Sequence, residues 1–172
     1  MDNLKRVGFV AFGEVNTPYQ KLVEKHDEAL SQLDAPDTVI TDGGIVIDDV
    51  KYEAAEAAIA KLKNVEMDCL IICVCGWIPT HAVVRVTDEF RHLPMVLWGL
   101  SAWRENGRIV TATAQAGTTA LRPTFEALGY KFKYVYSIID KPTPIGSINT
   151  FIAAAHAKRI LRHAHVGTMG YR

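Results

Sequence analysis

The sequence has few of the features that mark secreted or membrane proteins. It holds only three cysteines, an odd number that excludes a simple disulfide framework and indicates reduced thiols in a cytoplasmic protein. No run reaches the roughly 18 uninterrupted apolar residues of a membrane-spanning helix, so we expect no such helix and no membrane partner. Residues 1–6 lead into a strand pattern without the apolar segment and cleavage site of a signal peptide.

Neither positive nor negative charge is in excess. Nineteen basic residues balance nineteen acidic ones, so the positive surplus expected of a nucleic-acid or anionic-membrane binder is missing. The apolar fraction of 49% and the charged fraction of 22% are those of an ordinary globular protein. The 172 residues therefore predict one full domain with a hydrophobic core and no nucleic-acid partner.

The familiar catalytic and phosphate-binding motifs are also missing. The chain has no G-x-G-x-x-G sequence, no Walker loop and no G-x-S-x-G elbow. The segment after the first predicted strand, residues 13–19, offers Thr17 and the acidic Glu14, and a carboxylate would repel a phosphate. A flavin or a nucleotide is therefore disfavoured.

Short apolar runs and longer helical stretches alternate along the chain. We predict strands over residues 6–12, 38–42, 69–75, 95–99 and 133–139. Helical periodicity follows each of them, over residues 18–33, 50–62, 79–90, 115–128 and 145–163. Five such repeats predict a three-layer αβα domain with a doubly wound parallel sheet of about five strands, flavodoxin-like or Rossmann-like. The ligand site of such a sheet lies at the carboxyl ends of its strands.

The chain ends on a segment whose sequence is similar to that of its first predicted strand. "HVGTMG" (residues 165–170) follows the last predicted helix, and "RVGFVAF" (residues 6–12) opens the domain. We expect an amino-terminal α/β domain over residues 1–165, with residues 166–172 as the first strand of a following domain. A sixth strand of the same sheet is the alternative.

Three residues at the predicted carboxyl edge are candidates for ligand binding. Trp77 follows the third strand, where an exposed indole suits the C–H face of a sugar, although it could instead pack over a loop or a subunit contact. Glu14 could accept hydrogen bonds from substrate hydroxyls or lie in solvent. Gln115 could bind a polyol or cap the following helix. For Trp98 and Trp103 we favour core or dimer packing.

Other polar residues are better explained without a ligand. Cys73 and Cys75 share one face of a strand, but two thiolates leave a zinc ion half coordinated, so buried inert thiols are favoured. His156, His163 and His165 near the last helix fit a solvated helix end. Asp48 and Asp49 precede a helix, where capping and the helix dipole account for them. We therefore predict no catalytic residue and no metal ligand within this chain.

The order of these segments resembles the L-fucose and L-arabinose isomerase family. A tryptophan loop after the third strand is followed by "PMVLWG", a glycine turn at residues 106–107, "TATAQAG", a long helix and "HVGTMG". The resemblance covers nearly the whole chain, but only the amino-terminal part of the family's longer subunits. It implies that the similar phrase at the end is the first strand of the family's middle domain.

The resemblance implies an aldose–ketose isomerase that uses a divalent metal, typically manganese. The family moves a proton between C1 and C2 of the sugar through an ene-diol, with the metal ligands and catalytic residues in its later domains. The family's sugar lies at a subunit interface of a homo-oligomer, where the first domain of one subunit covers the pocket of its neighbour. This chain alone would then be inactive.

Matching by motif position nominates five substrate-binding residues. Trp77 matches a tryptophan that lies against the sugar, Gln115 a glutamine that reaches it, and Met169 a methionine of the pocket wall. The first-strand loop nominates Glu14 and Tyr19. The fucose-type branch has an arginine in that loop, so the presence of Glu14 leaves the sugar open. The alternative is a free-standing flavodoxin-like module that binds a small metabolite without catalysis.

Overall fold

A computed structural model describes residues 4–165, 167, 169 and 170. In this part of the chain the sheet strands are β1 (Lys5–Phe12), β2 (Thr38–Val46), β3 (Cys69–Val74), β4 (Met95–Gly99) and β7 (Phe132–Tyr136). A separate hairpin consists of β5 (Trp103–Glu105) and β6 (Arg108–Val110). The helices are α1 (Tyr19–Leu33), α2 (Glu53–Leu62), α3 (Thr80–Thr87), α4 (Ala114–Ala127) and α5 (Ile145–His163), with a 3-10 turn at Asp88–Phe90.

The order of the strands confirms the predicted doubly wound sheet. They lie in the order β2-β1-β3-β4-β7, and every neighbouring pair is parallel. Counted along the chain this is the order 2-1-3-4-5 of flavodoxin-like folds. The chain winds in one direction from β1 to β2 and in the other from β3 onward, so the switch point lies between β1 and β3.

Helices cover both faces of the sheet because strand side chains alternate between them. On one face, residues such as Val10, Leu70 and Leu97 pack against α2, α3 and α4. On the other face, Phe9 and Trp98 pack with α1 and α5. All six residues of β3 are buried, as expected of a central strand. The three-layer αβα architecture is thus confirmed.

The last strand, predicted over residues 133–139, spans Phe132–Tyr136, and two further local features differ from the sequence-based expectation. We predicted that β2 ends at Asp42, but it continues to Val46 through an irregular register opposite Phe9 to Ala11, with Gly44 at a φ of 93°. The hairpin of β5 and β6 was not predicted as strands. Its two-residue turn has φ values of 49° at Asn106 and 75° at Gly107, the positive values that a type I′ turn requires.

The predicted strand over residues 166–172 falls largely outside the described residues. Gly167, Met169 and Gly170 are described and belong to no regular element. The domain boundary at residue 165 therefore stays a prediction. None of the described helices combines the length and the apolar composition needed to span a membrane.

Candidate functional site

Three loops meet at the carboxyl edge of the sheet, beside the switch point. A Cβ atom built on Gly76, just after β3, would lie 3.2 Å from Oγ1 of Thr17 and 3.3 Å from Cβ of Ala112. The loops after β1, after β3 and before α4 are therefore in close contact, which a larger residue at position 76 would disturb. We call the surface formed by residues 14–19, 76–77 and 112–115 the switch-point surface.

Trp77 is held on this surface by its backbone. Its amide donates a hydrogen bond of 2.5 Å to the carbonyl of Ala112. Its Cα lies 3.5 Å from a Cβ built on Gly117, so the main chain of Trp77 rests on the first turn of α4. The residue nevertheless keeps 37% of its surface exposed. Its indole therefore remains available for a contact outside this domain.

The loop that carries Glu14 has a defined shape. The amide of Val15 donates to Oδ1 of Asp48 at 2.8 Å, which ties this loop to the one before α2. The amide of Thr17 donates to the carbonyl of Glu14 at 3.0 Å. Oε1 of Glu14 accepts a hydrogen bond of 2.8 Å from Nδ2 of Asn16, and the side chain is half-buried. Glu14 thus presents a carboxylate on a braced loop.

Asp49 accepts hydrogen bonds from the first amides of α2, the interaction with a helix start that its position in the sequence predicted, although Tyr52 occupies the N-cap position itself. Its carboxylate accepts hydrogen bonds from the amides of Glu53 at 2.8 Å and Ala54 at 3.1 Å. These backbone hydrogen bonds lower the pKa of Asp49. Asp48 has a different role, the loop contact with Val15.

The start of α4 is strained. Thr113 precedes the helix with a φ of 53°, a left-handed conformation that is unfavourable for a β-branched residue. Its amide donates to Oγ1 of Thr111 at 2.9 Å. Gln115 lies exposed in the first turn of the helix and does not occupy the capping position, so the capping alternative for this residue is wrong.

The structure brings four of the five predicted site residues to one edge of the sheet. Trp77, Glu14 and Gln115 lie on the switch-point surface, and Tyr19 begins α1 beside them with 61% of its surface exposed. Met169 is fully exposed. It follows α5, which runs back along the sheet and ends at the amino-terminal edge, so the chain leading to Met169 starts from the opposite edge.

Lys25 belongs to this edge and was missed in the sequence. Its Nζ donates to the carbonyls of Cys75 at 2.8 Å and Ser101 at 2.9 Å, and it lies 4.9 Å from the ring centre of Trp103. Burial lowers the pKa of Lys25. Its spacing, three residues after the buried Leu22, places it on the apolar stripe of α1, and that spacing was the available signal.

Cys73, Cys75 and Trp98 lie in the core, the position that we favoured for them from the sequence. Cys73 and Cys75 are free and buried, with their Sγ atoms 3.9 Å apart. Burial raises the pKa of Cys73, which favours the unreactive thiol. Trp98 is wholly buried, and its Nε1 donates to Oγ of Ser137 at 3.0 Å. Trp103 is half-buried beside Lys25.

A second polar cluster lies at the amino-terminal edge. Oδ2 of the buried Asp68 lies 3.0 Å from Nδ1 of His156 and accepts a hydrogen bond of 2.7 Å from the amide of Arg6. Arg159 pairs with Asp68 and, at 3.0 Å, with Glu66. A cavity of about 490 Å³ lies alongside. A solvated helix end is thus wrong for His156.

His163 and His165, at and just after the end of α5, are exposed, as expected. Within the described ranges, no group of three or more His, Cys, Asp or Glu side chains is arranged to hold a metal ion. The described residues therefore do not form a site for the metal that the resemblance implies.

No protein-family model matches this chain, and no curated protein matches it. The fold and the switch-point surface are therefore the basis for a functional conclusion.

Proposed function

We propose that this chain is the amino-terminal, substrate-covering and oligomerisation domain of a cytoplasmic, metal-dependent aldose–ketose isomerase, similar to L-fucose and L-arabinose isomerase. The observation that supports this proposal is the position of Trp77. It follows the central strand at the switch point, its backbone is fixed by Ala112, and 37% of its surface is exposed. Glu14 lies on the neighbouring loop after β1, and Gln115 lies in the first turn of α4.

These side chains suit a sugar. An indole stacks on the C–H face of a sugar or an open-chain polyol, while a carboxylate and an amide exchange hydrogen bonds with its hydroxyls. Glu14 is braced by Asn16 and by the loop contact of Val15, so it can hold a hydroxyl without first losing conformational freedom.

The openness of the switch-point surface favours a covering role. Tyr19 and Gln115 are exposed, and two cavities of about 490 and 290 Å³ among the described residues lie elsewhere on the domain. An open surface encloses a ligand only together with a second surface, which in this proposal belongs to a neighbouring subunit of a homo-oligomer. Closure excludes water from the reacting sugar and strengthens electrostatic interactions there.

The chemistry itself is assigned to other polypeptide. Moving a proton between C1 and C2 needs a positioned base and an electrophile that stabilises the ene-diolate. A divalent metal, manganese in this proposal, supplies that stabilisation when bound. This domain contributes Trp77, Glu14, Gln115 and Tyr19 as substrate contacts, and Met169 is proposed for the pocket wall.

A free-standing module that binds a small metabolite is the second candidate. The observation that favours it is the 290 Å³ cavity at the same edge of the domain, which residues of α1 and of the segments after β4 and β7 line. Such a module would need no neighbouring subunit to hold its ligand.

The decisive experiment uses the protein that the complete reading frame encodes, assayed with Mn²⁺ for conversion of L-fucose, L-arabinose and other aldoses to ketoses. We expect Trp77→Ala to lower kcat/KM by about tenfold or more with unchanged metal content, because substrate contacts are lost and metal ligands are not. The control is Leu161→Ala, which removes an exposed apolar side chain from α5.

Two results would contradict the proposal. The first is unchanged kinetics in the Trp77→Ala protein. The second is ketose formation by the 172-residue chain alone with Mn²⁺. A reading frame that stops at Arg172 would favour the binding module.

A further inference from the structure

A cavity of about 290 Å³ lies at the carboxyl ends of β4 and β7, on the face covered by α1 and α5. Its walls come from three segments, namely α1, the chain from the end of β4 to the start of β5, and the loop after β7. Polar side chains in these walls include Lys25, Glu28, Gln32, Trp103, Asp140 and Lys141. Its volume is close to the lower end of the range for small-molecule pockets, about 300 Å³.

Hydrogen bonds fix the two loops on either side of the cavity. The amide of Ile139 donates to Oγ of Ser101 at 2.9 Å. Arg104 donates to both carboxylate oxygens of Asp140, at 3.1 and 2.5 Å. The cavity is therefore formed before a ligand enters, and little conformational freedom is lost on binding.

Two side chains of the cavity walls carry buried polar atoms without a partner. These atoms are Oε1 of Gln32, on α1, and Nε1 of Trp103, at the start of β5, and neither has a hydrogen-bond partner among the described residues. Buried side-chain polar atoms nearly always have one. The first is an acceptor and the second a donor, so a ligand that carries both donors and acceptors would satisfy the two atoms.

The charges around the cavity balance, so the lining carries no net attraction for an anion. The ammonium of Lys25 already donates to the carbonyls of Cys75 and Ser101. Lys141 also lies in the walls, and the carboxylates of Glu28 and Asp140 offset the two ammonium groups. An uncharged ligand fits this balance better than a carboxylate or a phosphate.

We propose that this cavity binds a small, uncharged polyhydroxylated molecule. Hydroxyls are the simplest groups that can donate to Oε1 of Gln32 and accept from Nε1 of Trp103. The residues that line the cavity include none of the switch-point surface, so this site is additional to the one proposed for Trp77. The inference does not rest on the isomerase proposal.

The test is a titration of the 172-residue chain with sorbitol, a neutral six-carbon polyol, and with gluconate, an anion of the same length. The indole N–H resonances of Trp77, Trp98 and Trp103 are followed by NMR, and Trp103→Phe assigns the third. We expect the Trp103 resonance to shift to saturation with sorbitol, and gluconate to bind about tenfold more weakly. The resonance of the buried Trp98 reports that the fold is intact.

Variants connect the signal to the cavity. Gln32→Leu removes the unpartnered acceptor, and we expect it to weaken sorbitol binding about tenfold, the effect of one lost hydrogen bond. Gln20→Leu is the matched control, because Gln20 lies exposed on the same helix. Gln115→Leu alters the switch-point surface and is expected to leave the Trp103 titration unchanged.

Three results would overturn the inference. These are an unmoved Trp103 resonance up to about 100 mM sorbitol, which is far above a millimolar Kd, equal binding of sorbitol and gluconate, and undiminished binding by Gln32→Leu. A shift confined to Trp77 is a case of the first result, and it would support a ligand at the switch-point surface. Failure of this proposal is thus distinct from failure of the isomerase proposal.

Discussion

The imidazole Nδ1 of His156 lies 3.0 Å from a carboxylate oxygen of Asp68, a residue 88 positions earlier in the chain. This contact fastens α5 to the residue before β3. The amide of Arg6 donates to the same carboxylate, so one buried anion links the last helix to the starts of β1 and β3. Arg159, one turn further along α5, balances its charge.

Asp68→Asn should therefore lower the free energy of unfolding by about 3 kcal/mol, because Arg159 and His156 lose a buried anionic partner. Urea unfolding followed by circular dichroism measures the change. The matched control is Asp37→Asn, which breaks an exposed ion pair with Lys5. Exposed pairs contribute little, so the control should unfold almost as the parent does. Equal losses in both variants would show that the Asp68 cluster does not fasten α5.

The buried thiols predict a loss of stability in alkali. Burial raises the pKa of Cys69 from 9.0 to about 12. Above pH 9.0 the unfolded chain releases this proton while the folded chain retains it, so the free energy of unfolding falls as the pH rises toward about 12. The slope approaches about 1.4 kcal/mol per pH unit for one thiol.

Cys69→Ala should remove the contribution of this thiol to the fall of the unfolding free energy with pH. Urea unfolding at several pH values measures that fall. The control is Val7→Ala, because Val7 pairs with Cys69 in the sheet and packs on the same face. It should lower stability by a similar amount at every pH. An alkaline slope that persists undiminished in Cys69→Ala would contradict the prediction.

Thr113→Gly should raise the free energy of unfolding by about 1 kcal/mol, because glycine accepts a φ of 53° without the steric cost borne by a β-branched residue. Thermal and urea unfolding measure the gain. Thr124→Gly is the control, since it lies inside α4 and should be slightly destabilising. If the strained start of α4 serves ligand binding, the more stable Thr113 variant should also lose activity in the full-length protein. A less stable Thr113→Gly would show that the conformation carries no strain.

The sequence predicted the three layers of the fold, but it did not predict the irregularity within β2 or the hairpin of β5 and β6. The bounds 95–99 and 145–163 agree with β4 and α5, because uniform apolar and helical patterns mark their own ends. The end of β2 was placed too early since Gly43 and Gly44 resemble a turn, whereas they form an irregularity within the strand. The hairpin of β5 and β6 was missed because three-residue exposed strands have no apolar alternation to detect.

The sequence could place only those candidate site residues whose position follows from the order of the strands. Trp77 follows a strand that had to be central, so its place at the carboxyl edge followed from the order of elements. The contacts of Lys25 with Cys75 and Ser101 join residues 50 and 76 positions apart, and no local pattern reports such distances. His156 was misjudged for the same reason, because its partner lies in another part of the chain.

The Asp68 cluster and the switch-point loops lie at opposite ends of β3. Six residues at about 3.3 Å each separate them by roughly 20 Å. Substitutions so far apart, with no shared partner, have additive effects on stability. A substitution that changes ligand preference and destabilises the switch-point loops can therefore be compensated by a substitution that strengthens the Asp68 cluster. The ligand specificity and the stability of this domain can thus be engineered separately.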